Sequence, residues 1–148
     1  MKNQPVSDLV IELKINTYQS AEVLWNALTD SDELANWWSE KVVLQTKKGG
    51  LFKEPWEDDQ GQKQLAQGKV IDLKKNQFIT FSWSEKSWPG KAQTFCTFAI
   101  EDQGKTRQLK VTHQGWESLP EKLQKATMRE FKVGWTYHLK ELKSYLDD

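Results

Sequence analysis

The C-terminal segment from Ser118 to Tyr145 reads SLPEKLQKATMREFKVGWTYHLKELKSY. Its apolar residues recur every three or four positions, which places them on one face of an α-helix, and most of its lysines fall on the opposite face. The apolar face holds Leu123, Thr127, Phe131, Gly134, Trp135, His138, Leu142 and Tyr145. At 1.5 Å per residue such a helix is about 40 Å long, enough to cross a whole β-sheet. The segment therefore predicts a long amphipathic helix that covers one face of a sheet.

Two residues within this segment carry further expectations. Ser118 and Glu121 have the spacing of a capping box, so we expect the helix to begin at Ser118. Gly134 lies in the middle of the helix, where a glycine costs about 1 kcal/mol relative to alanine. Because Gly134 falls on the apolar face and has no side chain, this cost suggests that the helix approaches the sheet closely at that residue.

The N-terminal part of the chain predicts one strand and two short helices. Residues 9–16 alternate between apolar and mostly polar side chains, which is typical of a half-buried strand. Ser20 suits the N-cap of a short helix whose apolar face lies within residues 21–28. Ser31 is expected to cap a second short helix that runs to Trp37–Trp38.

Strand patterns fill the middle of the chain, over residues 41–46, 51–56, 64–73, 77–83, 92–101 and 106–114. Short turns connect them, so successive strands should pair antiparallel. Pro55 cannot donate a hydrogen bond to a ladder, which favours an edge position for its strand. The sequence therefore predicts an α+β fold: a curved antiparallel sheet of about six to seven strands wrapped around a long C-terminal helix, with two short helices after the first strand.

This arrangement predicts a cavity. A sheet that curls around one helix leaves a gap where the helix end and the sheet diverge, and the two short helices with Trp37–Trp38 would close that gap. The 148 residues are an ordinary length for one domain, so we expect a single domain over residues 1–148 with its core at about 8–147.

A family resemblance supports the same fold. Residues 24–30, LWNALTD, together with Leu34 and Trp37–Trp38, resemble the opening motif of the activator of heat-shock protein 90 ATPase homologue-like family. Further landmarks in the same order are Gly49-Gly50-Leu51-Phe52, Gly68-Lys69-Val70-Ile71, Thr80-Phe81-Ser82-Trp83, Thr106-Arg107-Gln108-Leu109, Val111-Thr112-His113 and Gly134-Trp135. The resemblance covers roughly residues 8–147. It implies the helix-grip fold of the START-like (SRPBCC) superfamily, whose cavities hold lipids, sterols, polyketides or plant hormones, and it makes a heat-shock chaperone a possible partner.

Composition excludes several classes of function. Lys+Arg and Asp+Glu both total 21, and Arg107 and Arg129 are the only arginines, which argues against a nucleic-acid partner. The single cysteine, Cys96, excludes an internal disulfide and any zinc site that needs several thiolates. The N-terminal residues lack the apolar stretch of a signal peptide, and no segment is apolar enough to cross a bilayer. We therefore expect a cytoplasmic protein without membrane insertion.

Catalytic and metal-binding motifs are absent from the sequence. His113, His138 and Glu130 are candidates for a general base or acid, although a structural role is the simpler interpretation for each. No Gly-x-Ser-x-Gly, phosphate-loop, dinucleotide or His-Glu-x-x-His pattern occurs, and Asp58–Asp59 is interpreted as a solvated loop. We therefore expect no catalytic residue, no metal and no cofactor, and whether the protein is an enzyme stays open.

The aromatic residues are the better functional signal. The chain has 8 Trp, 6 Phe and 3 Tyr, and many of them lie beside turns, where an indole suits a cavity rim. The candidate ligand-binding residues are Trp37, Trp38, Phe52, Trp56, Phe81, Trp83, Phe98, Trp116, Thr127, Glu130 and Phe131. The leading hypothesis is a carrier or sensor of a small hydrophobic molecule. The alternatives are a chaperone-interacting module and a cyclase- or hydrolase-like enzyme that uses a polar cavity residue.

Overall fold

A seven-stranded sheet and one long helix dominate the computed structural model, which describes residues 9–148. The elements in chain order are β1 (Ile11–Thr17), α1 (Ala21–Thr29), α2 (Ser31–Leu34), β2 (Val43–Leu44), β3 (Leu51–Glu57), β4 (Lys63–Lys74), β5 (Phe78–Glu85), β6 (Thr94–Asp102), β7 (Arg107–Gln114) and α3 (Glu121–Asp147). The strand order is β1-β7-β6-β5-β4-β3-β2, with every neighbouring pair antiparallel. The predicted α+β fold is confirmed.

The β2–β3 edge of the sheet is shorter than the sequence predicts. β2 contains only Val43–Leu44, rather than residues 41–46, and it pairs with Lys53 and Phe52. Within residues 9–148, the rest of β3 has β4 on one side and no strand on the other. Pro55 lies in this free part of β3, in agreement with its expected edge position.

Side-chain caps define the two short helices. The Ser20 hydroxyl accepts a hydrogen bond from the backbone N–H of Val23 at 3.1 Å, so the predicted N-cap of α1 is confirmed. The cap of α2 is Asp30 and not Ser31, because the Asp30 carboxylate accepts from the N–H of Asp32 at 2.8 Å. Asp30 therefore ends α1 and begins α2, which fixes the sharp turn between them.

The start of α3 differs from the capping-box prediction. The helix begins at Glu121, with Pro120 at its N-cap and no side-chain cap. The Ser118 hydroxyl instead donates to the carbonyl of Gln93 at 2.7 Å. Ser118 also ends a short 3-10 turn, Trp116–Ser118, so it ties this turn to the sheet rather than capping the helix.

The long helix is fixed to the sheet by its C-terminal half. Its buried residues are Trp135, Leu139, Leu142 and Leu146, and none of residues 121–134 is buried. The Gln19 amide donates to the carbonyl of Leu146 at 2.7 Å, and the Lys143 ammonium donates to the carbonyl of Asn16 at 2.6 Å. These bonds hold the C-terminal half of α3 against the end of β1, while Met128 and Phe131 in its N-terminal half are only partly buried against the core.

The expectation of a close approach at Gly134 is wrong. Apart from its own turn of helix, a Cβ placed on Gly134 would meet no atom of residues 9–148 within 4 Å, so this residue faces open space. The close backbone approach occurs at Gly68 on β4 instead, where a Cβ would lie 1.8 Å from the carbonyl oxygen of Ser82. Within the described part of the chain, no helix is long and apolar enough to cross a membrane.

Candidate ligand-binding cleft

An open cleft of about 420 Å³ lies between the middle of α3 and the strands β3 and β5. It occupies the gap between helix and sheet that the sequence predicts. The residues that line this cleft are Trp38, Glu54, Trp56, Glu57, Asp58, Asp59, Trp83, Glu85, Glu130, Phe131, Gly134, Trp135 and His138. Aromatic and acidic side chains thus supply almost the whole surface.

Stacked aromatic rings form the inner wall of the cleft. Trp38 and Trp83 stack with ring centres 6.0 Å apart and planes within 12°. Trp135 packs against Trp38 at 5.1 Å, and Phe131 meets Trp83 edge-on at 5.4 Å. Such offset and edge-to-face contacts hold the rings in fixed positions. The wall is therefore a preformed apolar surface.

The carboxylate of Glu85 is buried in this wall and is only 7% exposed. One of its oxygens accepts the indole N–H of Trp56 at 3.0 Å, and the other accepts the indole N–H of Trp83 at 2.8 Å. Burial raises the pKa of Glu85, and the two indole hydrogen bonds oppose that rise because they favour the charged form. Glu85 thereby orients two of the cleft's tryptophans.

A second carboxyl, Glu54, stands in the same row of the sheet. In the strand register Glu54 on β3 is opposite Ala66 on β4, and Ala66 is in turn opposite Glu85 on β5. Residues paired in this way project from the same face of a sheet. Ala66 offers only a methyl group, so the two longer carboxyl side chains rise above it on either side.

The pKa of Glu54 is raised from 4.5 to about 7. Burial is the main cause, and the charge of Glu85 adds to the rise, while an interaction with the indole of Trp38 partly offsets it. Glu54 therefore titrates near neutral pH, and its side chain lines the cleft.

The outer rim of the cleft is acidic as well. Asp58 caps its own loop, because one of its oxygens accepts the backbone N–H groups of Gln60 and Gln62, both at 2.9 Å. The Gln62 N–H is the largest cause of the lowered pKa of Asp58. Glu57, Asp59 and Glu130 add three more carboxylates to the lining. Among residues 9–148, no lysine or arginine lines the cleft and no ion pair reaches its carboxylates.

The two histidines have different positions. His138 lines the cleft from α3, and its Nδ1 atom is buried with no hydrogen-bond partner in the described structure. Burial lowers the pKa of His138. Within residues 9–148 no group of three or more metal-ligating side chains is found.

His113, by contrast, is fully buried beneath the cleft. Its Nδ1 accepts the indole N–H of Trp135 at 3.0 Å, and its Nε2 lies 2.7 Å from the hydroxyl of Thr94. Because an indole only donates, Nδ1 must be unprotonated and Nε2 carries the proton. Burial lowers the pKa of His113 to about 3. Both ring nitrogens are thus engaged, and His113 is a structural residue that orients Trp135.

The structure divides the candidate residues of the sequence analysis into two groups. Those that border the cleft are Trp38, Trp56, Trp83, Glu130 and Phe131. Those buried in the core away from the cleft surface are Trp37, Phe52, Phe81, Phe98 and Trp116. The remaining candidate, Thr127, is half-buried on α3 one turn before Phe131 and does not border the cleft.

Sequence reasoning missed Glu54 and Glu85, the two acids closest to the aromatic wall. A signal for them was present. Glu54 lies two residues after Phe52, and Glu85 two residues after Trp83, so each shares the inward face of its strand. A glutamate in the same alternation as buried aromatic residues indicates a carboxyl that faces the interior.

The fold and the cleft together define a helix-grip protein of the START-like class, with its cavity between the sheet and the C-terminal helix. The family model described as "Activator of Hsp90 ATPase homolog 1-like protein" matches residues 19–147. The chain therefore belongs to this family, as its resemblance in sequence implies. A comparison with curated protein sequences finds no match.

Solved structures share this fold at low sequence identity. Protein MLL2253 from Mesorhizobium loti is 18% identical with a TM-score of 0.75, over 93% of this chain and 96% of its own. PFC0360w, an HSP90 activator from Plasmodium falciparum, is 21% identical with a TM-score of 0.73, over 94% and 96%. The Aha1 dimer from Colwellia psychrerythraea is 22% identical with a TM-score of 0.70, over 93% and 95%. At these identities the likeness concerns the fold alone.

Proposed function

We propose that the protein binds a small, largely apolar molecule in the cleft, as a carrier or sensor. The observation that carries this proposal is the aromatic wall of Trp38, Trp83 and Trp135 beside about 420 Å³ of open space. Small-molecule sites are typically concave, of several hundred Å³, and mostly apolar with a few placed polar groups. Trp56 and Phe131 complete the apolar surface, and the carboxyls supply the polar groups.

Tryptophan fluorescence tests the proposal directly, since several indoles border the cleft. A titration with a library of flat and lipid-like apolar compounds should give saturable quenching or a spectral shift. The variant Gly134→Leu should abolish the response, because its side chain extends into the open space at Gly134. The matched control Val133→Leu adds volume at a position that is 72% exposed, so it should respond like the wild type. A flat response of the wild type across the library would overturn the proposal.

A chaperone-interacting module is the second candidate function, and the family match supports it. One protein of similar structure, PFC0360w from Plasmodium falciparum, is an HSP90 activator. Calorimetric titration of the protein into purified Hsp90 decides this candidate. Saturable binding that Gly134→Leu leaves intact would establish an interaction independent of the cleft, whereas no binding at tens of micromolar would remove the candidate.

A cyclase- or hydrolase-like activity is the third candidate. Of the polar residues considered for it, His113 has both ring nitrogens engaged, while Glu130 and His138 border the cleft. Glu54, with its pKa of about 7, is a better placed proton donor or acceptor. If the protein converts a bound compound, and Glu54→Gln abolishes that conversion while the compound still binds, an enzyme is favoured over a simple binding protein.

The cytoplasm remains the expected compartment for all three candidate functions.

A further inference from the structure

The acidic character of the cleft is a local feature of the protein. The whole chain has equal numbers of acidic and basic residues, 21 of each. In the part of the chain that the structure describes, six carboxyl groups nevertheless line the cleft, on β3, the loop after it, β5 and α3, and no lysine or arginine lines it. A concave, partly apolar surface with one sign of charge concentrates oppositely charged ligands.

The two inner carboxyls differ from those of the rim because they are largely withdrawn from water. A buried charge is costly unless a counter-charge or several hydrogen bonds compensate it. Glu85 has only its two indole donors, and no Lys or Arg nitrogen of the described residues lies within ion-pair distance of Glu54 or Glu85. The opposing row Glu54–Ala66–Glu85 therefore leaves two carboxyls on either side of a small residue without a cation between them.

The aromatic side chains around this pair favour the same ligand chemistry. Trp56 is 38% exposed and borders the cleft, and its N–H is fixed on Glu85, so its ring stands beside the carboxylate. A cation over an indole ring is attracted by the electron density of its face. A wall of indoles with a carboxylate at its edge suits an organic cation better than a bare metal ion, which needs more oxygen ligands.

We propose that the molecule bound in the cleft is an organic cation, an amine or quaternary ammonium on an apolar body, whose positive head lies between Glu54 and Glu85. This inference rests on the proposed function, because it names the chemical class of the ligand of that site. The apolar body packs on Trp38, Trp83 and Phe131, and the head replaces the missing counter-charge.

Three probes that share one apolar body and differ in the charge of the head group test the inference. They are phenylbutyl trimethylammonium, the same phenylbutyl body with an uncharged tert-butyl head, and phenylpentanoate. Titration calorimetry at low ionic strength should show that the ammonium binds at least about tenfold more tightly than the neutral probe, a difference of about 1.4 kcal/mol. The anion should bind most weakly.

Charge-removing variants locate the effect. Glu54→Gln and Glu85→Gln should each reduce the preference for the ammonium probe over the neutral probe. Glu54→Gln should leave the affinity for the neutral probe little changed. Glu85→Gln keeps an acceptor for only one of the two indoles, Trp56 or Trp83, so its affinity for the neutral probe should also fall. Glu101→Gln, an exposed acid on β6, is the matched control and should behave like the wild type.

The pH dependence gives a second measurement. The other titratable groups that line the cleft with Glu54 are Glu85 on β5, Glu130 and His138 on α3, and Glu57, Asp58 and Asp59 at the end of β3 and in the loop after it. Deprotonation of Glu54 near pH 7 should strengthen ammonium binding as the pH rises from about 6 to about 8, and Glu54→Gln should weaken that dependence.

The outcomes separate the two proposals. Equal binding of the ammonium and neutral probes, or an ammonium preference that both glutamine variants retain, would overturn the inference and leave apolar ligand binding in place. If none of the three probes binds and the fluorescence library is also silent, the proposed function itself fails.

Discussion

The Glu85 carboxylate shows at the scale of one residue how the cleft is organised. Its two oxygens hold the indoles of Trp56 and Trp83, one from a neighbouring part of the sheet and one from its own strand. Each hydrogen bond to a buried charged group is worth more than a neutral one. Burial is the main cause of the raised pKa of Glu54, and the charge of Glu85 adds to it, so Glu85 contributes to both the geometry and the electrostatics of the site.

The raised pKa of Glu54 predicts a pH-dependent stability. The folded protein keeps the Glu54 proton up to about pH 7, whereas an unfolded chain releases it near 4.5, so this contribution to stability is lost as the pH rises through about 7. Glu54→Gln has no proton to lose. Its stability advantage over the wild type should be small at about pH 5 and grow to roughly 3 kcal/mol at about pH 8. Urea unfolding of both proteins at the two pH values measures this, and a pH-independent difference would contradict the assignment.

His113 predicts a loss of stability at low pH, whereas Glu54 predicts one at high pH. Its pKa is lowered to about 3, so the stability it contributes is present above about pH 6.5 and is lost as the pH falls towards 3. His113→Phe should lower stability at neutral pH by roughly 3 kcal/mol, because the buried Trp135 N–H and Thr94 hydroxyl lose a partner. It should also show a shallower loss in acid.

The control for this variant is His138→Phe, which changes a half-buried histidine whose Nδ1 has no partner in the described structure. It should cost clearly less than His113→Phe in the same urea unfolding measurement. Equal costs would mean that the hydrogen bonds of His113 contribute little.

At the scale of the elements, strand alternation and register build the cleft. The inward face of β3 carries Phe52, then Glu54, then Trp56, and that of β5 carries Phe81, then Trp83, then Glu85. The first residue of each series fills the core, and the later ones line the cleft beneath the middle of α3. Along this face, each strand therefore runs from a residue that fills the core to residues that line the cleft.

The helix α3 supplies a prediction at this scale. Gly134→Ala should stabilise the protein by about 1 kcal/mol, because alanine is the better helix former and its Cβ meets open space. Gly68→Ala, the comparison variant, should be strongly destabilising, since its Cβ would lie 1.8 Å from a backbone oxygen. Thermal unfolding of the two variants measures both. A destabilised Gly134→Ala would indicate that the helix lies closer to the sheet than described.

At the scale of the whole molecule, the cleft follows from the uneven attachment of α3. Its C-terminal half is buried and bonded to the chain around β1, and Tyr145 reaches Glu33 at 3.1 Å. Its N-terminal half has no buried residue before Trp135. The helix is therefore packed more deeply towards its C-terminal end, and the cleft lies beneath its middle, where Phe131 still contacts Trp83.

This unequal attachment predicts unequal mutational costs along one helix face. Leu142→Ala should cost roughly 2–5 kcal/mol, because Leu142 is fully buried. Leu123→Ala should cost less than about 1 kcal/mol, since Leu123 is 38% exposed. Chemical denaturation of the two variants provides the comparison, and similar costs would show that both halves of the helix are packed alike.

The sequence alone was sufficient for the order of the elements and for the long helix. Alternation and 3.6-residue periodicity are local signals, and they predicted the strands, the α1 cap at Ser20 and the amphipathic α3. The start of α3 was misplaced because Ser118 bonds to Gln93, a residue distant in the chain. A local pattern holds no information about such a partner.

The sequence also predicted the family, and the candidate residues that it suggested included aromatic residues at the cleft. Which of them border open space was decided only by the tertiary structure, because the same periodicity describes Phe52 in the core and Trp56 at the rim. Glu54 and Glu85 become neighbours through their shared pairing with Ala66, and that register depends on how three strands align. Side-chain patterns along a chain determine which face is apolar, whereas the distance between helix and sheet depends on contacts between residues far apart in sequence.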